Sequence, residues 1–125
     1  AKKVPSNSIA VVTRVGVGKL AFINYDYATS QDFLSFSFLN WSAFFSVNLL
    51  TRVMEQMSNE GQGTSIKGVT KSELLAKSVL IPTSLEEQIS IGNLLKSFDD
   101  LIKSTSNRLS KLELLKTSLL KNLFV

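Results

Sequence analysis

Apolar residues recur in alternating steps of four and three along the last third of the chain: Ile91, Leu95, Phe98, Ile102, Thr105, Leu109, Leu112, Lys116, Leu119 and Leu123. Only Thr105 and Lys116 break the line, which is the seam of a coiled-coil helix. A second line, Leu94, Leu101 and Leu115, widens the stripe on one flank, so the helix can face two neighbours at once. Ser84 and Glu87 have the spacing of a capping box and Pro82 stands just upstream, which predicts one helix from Ser84 to Leu123. At about 1.5 Å per residue it is a rod roughly 60 Å long. Each buried Leu or Ile is worth roughly 1.5–3 kcal/mol, so a stripe of this length calls for a second helix alongside. The plainer alternative is a surface helix folded back on its own body, which looks too short to cover it.

The preceding residues parse into short elements. Ser8–Thr13 is rich in β-formers, Val15-Gly16-Val17-Gly18 turns, and Lys19–Asn24 returns, which predicts a hairpin. Phe33–Leu39 alternates Phe and Ser with the period of a half-buried strand. Helical spacing then takes over at Trp41, Phe44, Phe45, Val47 or Asn48, Leu49, Val53 and Met57, and the helix should end in Ser58-Asn59-Glu60-Gly61. Gly61–Ser65 reads as a loop. Thr70 and Glu73 form a second capping box opening a short helix through Ala76, and Val79-Leu80-Ile81 reads as a short buried strand ending at Pro82. The expected fold class is α+β, a small mixed α/β domain over residues 1–82 followed by one long coiled-coil helix over residues 83–125.

Composition narrows the function. The 125 residues contain no cysteine and no histidine, which removes disulfides, thiolate zinc sites, the commonest metal ligand and the usual general base. No apolar run is long enough to cross a membrane, and Lys2 and Lys3 are followed by Pro5, Ser6 and Asn7 rather than by a signal-peptide core, so a cytoplasmic protein is expected. The formal net charge is +4, carried mostly by the first 84 residues. A mild basic excess suits nucleic acid, although many proteins without a polyanionic partner share it.

Phosphate and base contacts come from Arg, Lys, Gln, Asn, Ser and Thr on loops, and from backbone amides at glycines. Two loops have this make-up. In Thr13–Lys19, Arg14 and Lys19 flank a double-glycine turn that matches neither a Walker nor a Rossmann pattern; the glycines can equally be there for the hairpin alone. In Gly61–Gly68, Gln62, Thr64, Ser65 and Lys67 follow a helix end, where a glycine cap and a linker are the plain alternative. Ser30-Gln31-Asp32 is a third polar cluster, and glutamine suits a bidentate contact to adenine. The acid pairs Glu86-Glu87 and Asp99-Asp100 are adjacent on a helix and point in different directions, so neither converges on one atom or metal. No catalytic site and no metal site emerge.

Thr13-Arg14 leading into Gly16-Val17-Gly18-Lys19, then Ser30-Gln31, the Gly63-Thr64 loop, Ile81-Pro82 with Leu85-Glu86-Glu87-Gln88 and Ile91, Asp99-Asp100-Leu101-Ile102 and Leu119–Phe124 resemble, in that order, the specificity subunit of type I restriction-modification enzymes. The likeness spans nearly the whole chain. It implies a target recognition domain that binds one half of a split double-stranded DNA site, and a long helix that packs on a matching helix to set the spacing and dock methylation subunits. It further implies a non-catalytic subunit without cofactor, since S-adenosylmethionine and ATP belong to the methylation and restriction subunits. The chain holds one such helix and most of one recognition domain, and so resembles a C-terminal fragment or a shortened subunit whose first strands are missing.

By this resemblance the DNA-binding candidates are Arg14, Lys19, Ser30, Gln31, Gln62, Thr64, Ser65 and Lys67. The helix-interface candidates are Ile91, Leu95, Phe98, Ile102, Leu109, Leu112, Leu119 and Leu123. A chain with one recognition unit must borrow its second helix, so a homodimer is expected. The alternatives are a coiled-coil assembly adaptor or truncated remnant without a DNA role, and the specificity module of a fused restriction-methylation polypeptide.

Overall fold

The computed structural model describes residues 1–60 and 68–124. Five strands and three helices follow one another: β1 (Lys2–Val4), β2 (Ser8–Val12), β3 (Leu20–Ile23), β4 (Tyr27–Thr29), β5 (Phe33–Phe36), α1 (Ala43–Glu60), α2 (Lys71–Leu75) and α3 (Leu85–Leu123). The fold is α+β with one long helix. It divides into two compact units, Ala1–Gly92 and Asn93–Val125.

The predicted hairpin is present and longer than its sequence signal. β2 pairs antiparallel with β3 (Ser8↔Ile23 to Val11↔Leu20), and β1 pairs antiparallel with β4 (Lys2↔Thr29 to Val4↔Tyr27). Both ladders keep the same register, so the two pairings are one ribbon interrupted at residues 5–7 and 24–26. At the interruption Pro5 offers no N–H, Asn7 takes a left-handed φ of 60°, and the Ser6 amide donates to Asp26 Oδ1 at 2.8 Å. At the far end the turn closes through Val17 N–H to Arg14 O (3.1 Å) and Val12 N–H to Lys19 O (2.8 Å), with Gly16 and Gly18 at φ of 81° and 98°. These angles are why the turn needs glycine at both positions.

β5 joins the other edge of β2 (Ile9↔Phe36 to Val12↔Phe33), giving the order β3-β2-β5. The strand expected to reach Leu39 stops at Phe36. Opposite its continuation, Ser8 spends its hydroxyl on Pro5 O and Ser37 Oγ, and Phe38 turns to φ 55° and stands 85% exposed instead of extending the buried face. Ile9 and Val11 of β2, Val53 and Met54 of α1 and Leu74 of α2 form the buried core, with Leu20, Leu34, Phe36, Val47 and Leu50 packed around it. Of the positions whose spacing predicted α1, Val47, Val53 and Met57 pack on the core, joined by Leu50 and Met54, whereas Phe44 is 46% exposed and Trp41 precedes the helix.

α2 opens with the complete capping box expected of it: Thr70 Oγ1 accepts from Glu73 N–H and a Glu73 carboxylate oxygen accepts from Thr70 N–H, each at 3.2 Å. Val79-Leu80-Ile81 is not the buried strand expected. It is irregular, Leu80 is fully exposed, and no strand of either sheet pairs with it: an apolar run becomes a strand only where it is paired with a neighbour.

α3 begins where Ser84 Oγ accepts from Glu87 N–H at 3.4 Å. Its first turns belong to the first compact unit, held by Gln88. That side chain is 4% exposed; its Oε1 accepts from Ser42 N–H (3.1 Å) and its Nε2 donates to Pro82 O (2.9 Å). One amide therefore joins the residue before α1 to the residues before α3. One turn on, a Cβ on Gly92 would lie 3.0 Å from Phe44 Cβ and 3.1 Å from Phe45 N, so the two helix backbones approach as only a glycine allows without displacement.

The second unit is helical from Asn93 to Leu123. Phe98, Ile102, Leu109, Leu112, Leu119 and Leu123 of the seam are 48–71% exposed, as are Leu94, Leu101 and Leu115 of the flanking line at 56–62%. Ile91 and Leu95 are half-buried. No helix among the described residues is long and apolar enough to cross a membrane.

Candidate nucleic-acid interface

Three chain segments converge on Thr13, the residue that follows β2. Its N–H and its hydroxyl both donate to Asp32 O, at 2.9 and 3.1 Å, and its carbonyl accepts from Val69 N–H at 2.8 Å. Thr13 is 6% exposed, so these bonds are made away from water, where leaving any one unmade would be costly. They tie the hairpin tip to the 30–32 turn on one side and to the segment leading into α2 on the other. Gly68 completes the junction: a Cβ there would lie 2.7 Å from Thr13 O and 3.3 Å from Arg14 Cγ.

A groove of about 720 Å³ opens at this junction, lined by Thr13, Arg14, Val15, Gln31, Phe33, Leu34, Gly68, Val69, Thr70 and Lys71. Arg14 Nη1 lies 3.5 Å from Asp32 Oδ1, with both side chains about half exposed. A pair that wet contributes little to stability, and its effect is to aim the guanidinium. The groove thus holds two cations, an amide and two threonine hydroxyls over a floor of Phe33, Leu34 and Val69, with the Asp32 carboxylate beside Arg14. Such a mixture can grip phosphates with Arg14 and Lys71 while offering Gln31 and Thr70 as donors and acceptors to base edges.

The family model of the type I restriction modification DNA specificity domain matches residues 1–114. The chain belongs to that family. Comparison with curated protein sequences found no match. Membership makes this a DNA specificity domain of a restriction-modification system, the recognising rather than the catalytic part, and implies association with DNA and with the other subunits.

Within the specificity domain, the sequence-predicted residues divide three ways. Arg14 and Gln31 meet in the groove. Ser30 and Lys19 do not line it. The Ser30 hydroxyl accepts from Asp32 N–H at 3.3 Å and its carbonyl from Phe33 N–H, so it shapes the turn that presents Gln31. Lys19 is exposed on the return side of the hairpin tip, its carbonyl closing the turn. Gln62, Thr64, Ser65 and Lys67 lie outside the described residues. Lys71 was not singled out by the sequence reading. Its signal was present, a cation directly after the Thr70 cap, but it reads as an ordinary first-turn residue until the Thr13–Val69 bond brings it beside Arg14. Among the described residues, no group of His, Cys, Asp and Glu is arranged to hold a metal ion.

Proposed function

We propose that this chain reads one half of a bipartite DNA site through the groove at Thr13, and that α3 pairs with a second such helix, setting the separation of two recognition units and offering a surface to methylation subunits. Arg14 and Lys71 contact phosphates, and Gln31 and Thr70 face base edges; Lys19 and the residues Gln62, Thr64, Ser65 and Lys67 add further DNA contacts. The observation that supports this reading is that Asp32 at the 30–32 turn and Val69 before α2 both bond to the one buried threonine at the base of the hairpin tip. The helix pairing is supported by the stripe from Phe98 to Leu123, whose apolar side chains stand largely in solvent. The second helix we place there is that of another copy, giving a homodimer through Leu95, Phe98, Ile102, Leu109 and Leu112. A helix of about 58 Å would hold two units between one and two turns of B-DNA apart.

The test is fluorescence anisotropy with a pool of random-sequence duplexes across a salt series. Wild-type affinity should fall steeply with salt, and Arg14→Ala and Lys71→Ala should each lower the log–log slope by about 0.9, the release of one phosphate's counterion. Absent or salt-insensitive DNA binding together with intact self-association would replace this reading with an assembly adaptor that has no DNA role.

A further inference from the structure

Of the six cations of α3, Lys116 sits on the seam and Arg108 on its flank, while Lys103, Lys111 and Lys121 lie away from it. Lys103 and Lys121 are about five turns apart and so lie on one line, with Lys111 to one side of it. That line is on the side of the helix opposite Phe98, Ile102, Leu109 and Leu112. Lys103, Lys111 and Lys121 are exposed, and none of the three forms an ion pair among the described residues. Between Asp100 and Lys111 the same face carries a shallow depression of about 410 Å³, lined by Asp100, Lys103, Ser104, Asn107, Arg108 and Lys111. Over Asn93–Val125 the cations Lys96, Lys103, Arg108, Lys111, Lys116 and Lys121 stand against Asp99, Asp100 and Glu113 alone. The excess positive charge is spread over roughly 27 Å of helix from Lys103 to Lys121.

A solvated helix face needs no such bias, since alternating signs at i and i+4 would stabilise it better. The bias is complementary to a rod of regularly spaced negative charge. We infer that the Lys103–Lys111–Lys121 face of α3 is a second DNA-binding surface, contacting the phosphates of a duplex without reading bases while the seam on the opposite side is occupied by another helix. The inference rests on the proposal that the chain binds DNA, and it adds to the groove a contact independent of sequence.

The test is the triple variant K103Q/K111Q/K121Q in the full chain, on a random-sequence duplex pool of about three DNA turns. Glutamine and lysine have nearly equal helix propensity, so helicity by circular dichroism and the sedimentation coefficient should match wild type. The salt slope should fall by about 2.7, three phosphate contacts at about 0.9 each. A slope equal to wild type would overturn the inference and assign the face to an acidic protein partner or to solvent. The groove variants keep the two readings apart. If Arg14→Ala and Lys71→Ala leave the slope unchanged while the triple variant lowers it, the groove reading fails and this one stands; the reverse pattern overturns this one alone.

Discussion

Replacing Gln88 tests how the start of α3 is fixed to the domain that carries the groove. The Gln88 amide satisfies two backbone groups, Ser42 N–H and Pro82 C=O, from a position 4% exposed. Alanine removes both partners and leaves each group facing a space it cannot fill. An unsatisfied buried polar group costs about 1–3 kcal/mol, so Gln88→Ala should destabilise the first unit by about 2–4 kcal/mol, a large part of the 5–15 kcal/mol of a typical domain. Urea denaturation can be followed through Trp41, the single tryptophan, which adjoins Ser42. With a slope of about 1–3 kcal/mol per molar urea, the midpoint should fall by roughly 1–2 M.

Two companion variants separate causes. Gln88→Met keeps the shape and loses both bonds, so it should resemble alanine more than wild type. Gln88→Glu keeps the acceptor for Ser42 N–H but sets an oxygen against Pro82 O. A carboxyl in that position must be protonated in the folded state, so folding raises its pKa. Its contribution is therefore present at low pH and lost as pH rises, and the variant should be weaker than wild type at pH 7 and recover on acidification. A Gln88→Ala midpoint within about 0.3 M of wild type would refute the view that this amide is a structural joint.

Gly68→Ala must push a methyl against the Thr13 carbonyl, and it should cost about 1–3 kcal/mol and weaken duplex binding several-fold, with denaturation and anisotropy as the readouts. Asp32→Asn removes the carboxylate paired with Arg14; the salt slope for duplex binding should steepen, and a flatter slope would show that Asp32 contributes by aiming Arg14. Ile102→Asp with Leu109→Asp places charges in the middle of the seam and should yield a monomer by sedimentation at concentrations where wild type is a dimer; a wild-type monomer at micromolar concentration would remove the pairing proposal.

Elements that are dictated locally were legible in the sequence. The hairpin is written in Gly16 and Gly18, α2 in Thr70 and Glu73, and α3 in its heptads, because turn angle, cap and periodicity are properties of neighbouring residues. β1 and β4 were not legible, since three-residue strands carry no period and exist only because the hairpin register runs on past Pro5 and Asp26. Val79-Leu80-Ile81 shows the converse: an apolar run does not announce whether any strand will pair with it. Phe38 misled for a related reason, as period alone does not say where the neighbouring strand ends. At the site, residue type and loop position singled out Arg14 and Gln31. Their meeting with Lys71 was hidden, because it depends on hydrogen bonds between segments far apart in sequence.

The hairpin ladder has a bearing on how such a domain can change its target. Slipping β2 by one residue would turn Ile9 and Val11 out of the core, so the interior pins the strands. Beyond Thr13 that constraint stops: Arg14, Val15 and Lys19 are exposed, and the tip keeps its shape through backbone bonds and two glycines. New side chains can therefore be tried at these three positions while the mount beneath them stays as it is, leaving the tip free to evolve faster than the scaffold that holds it.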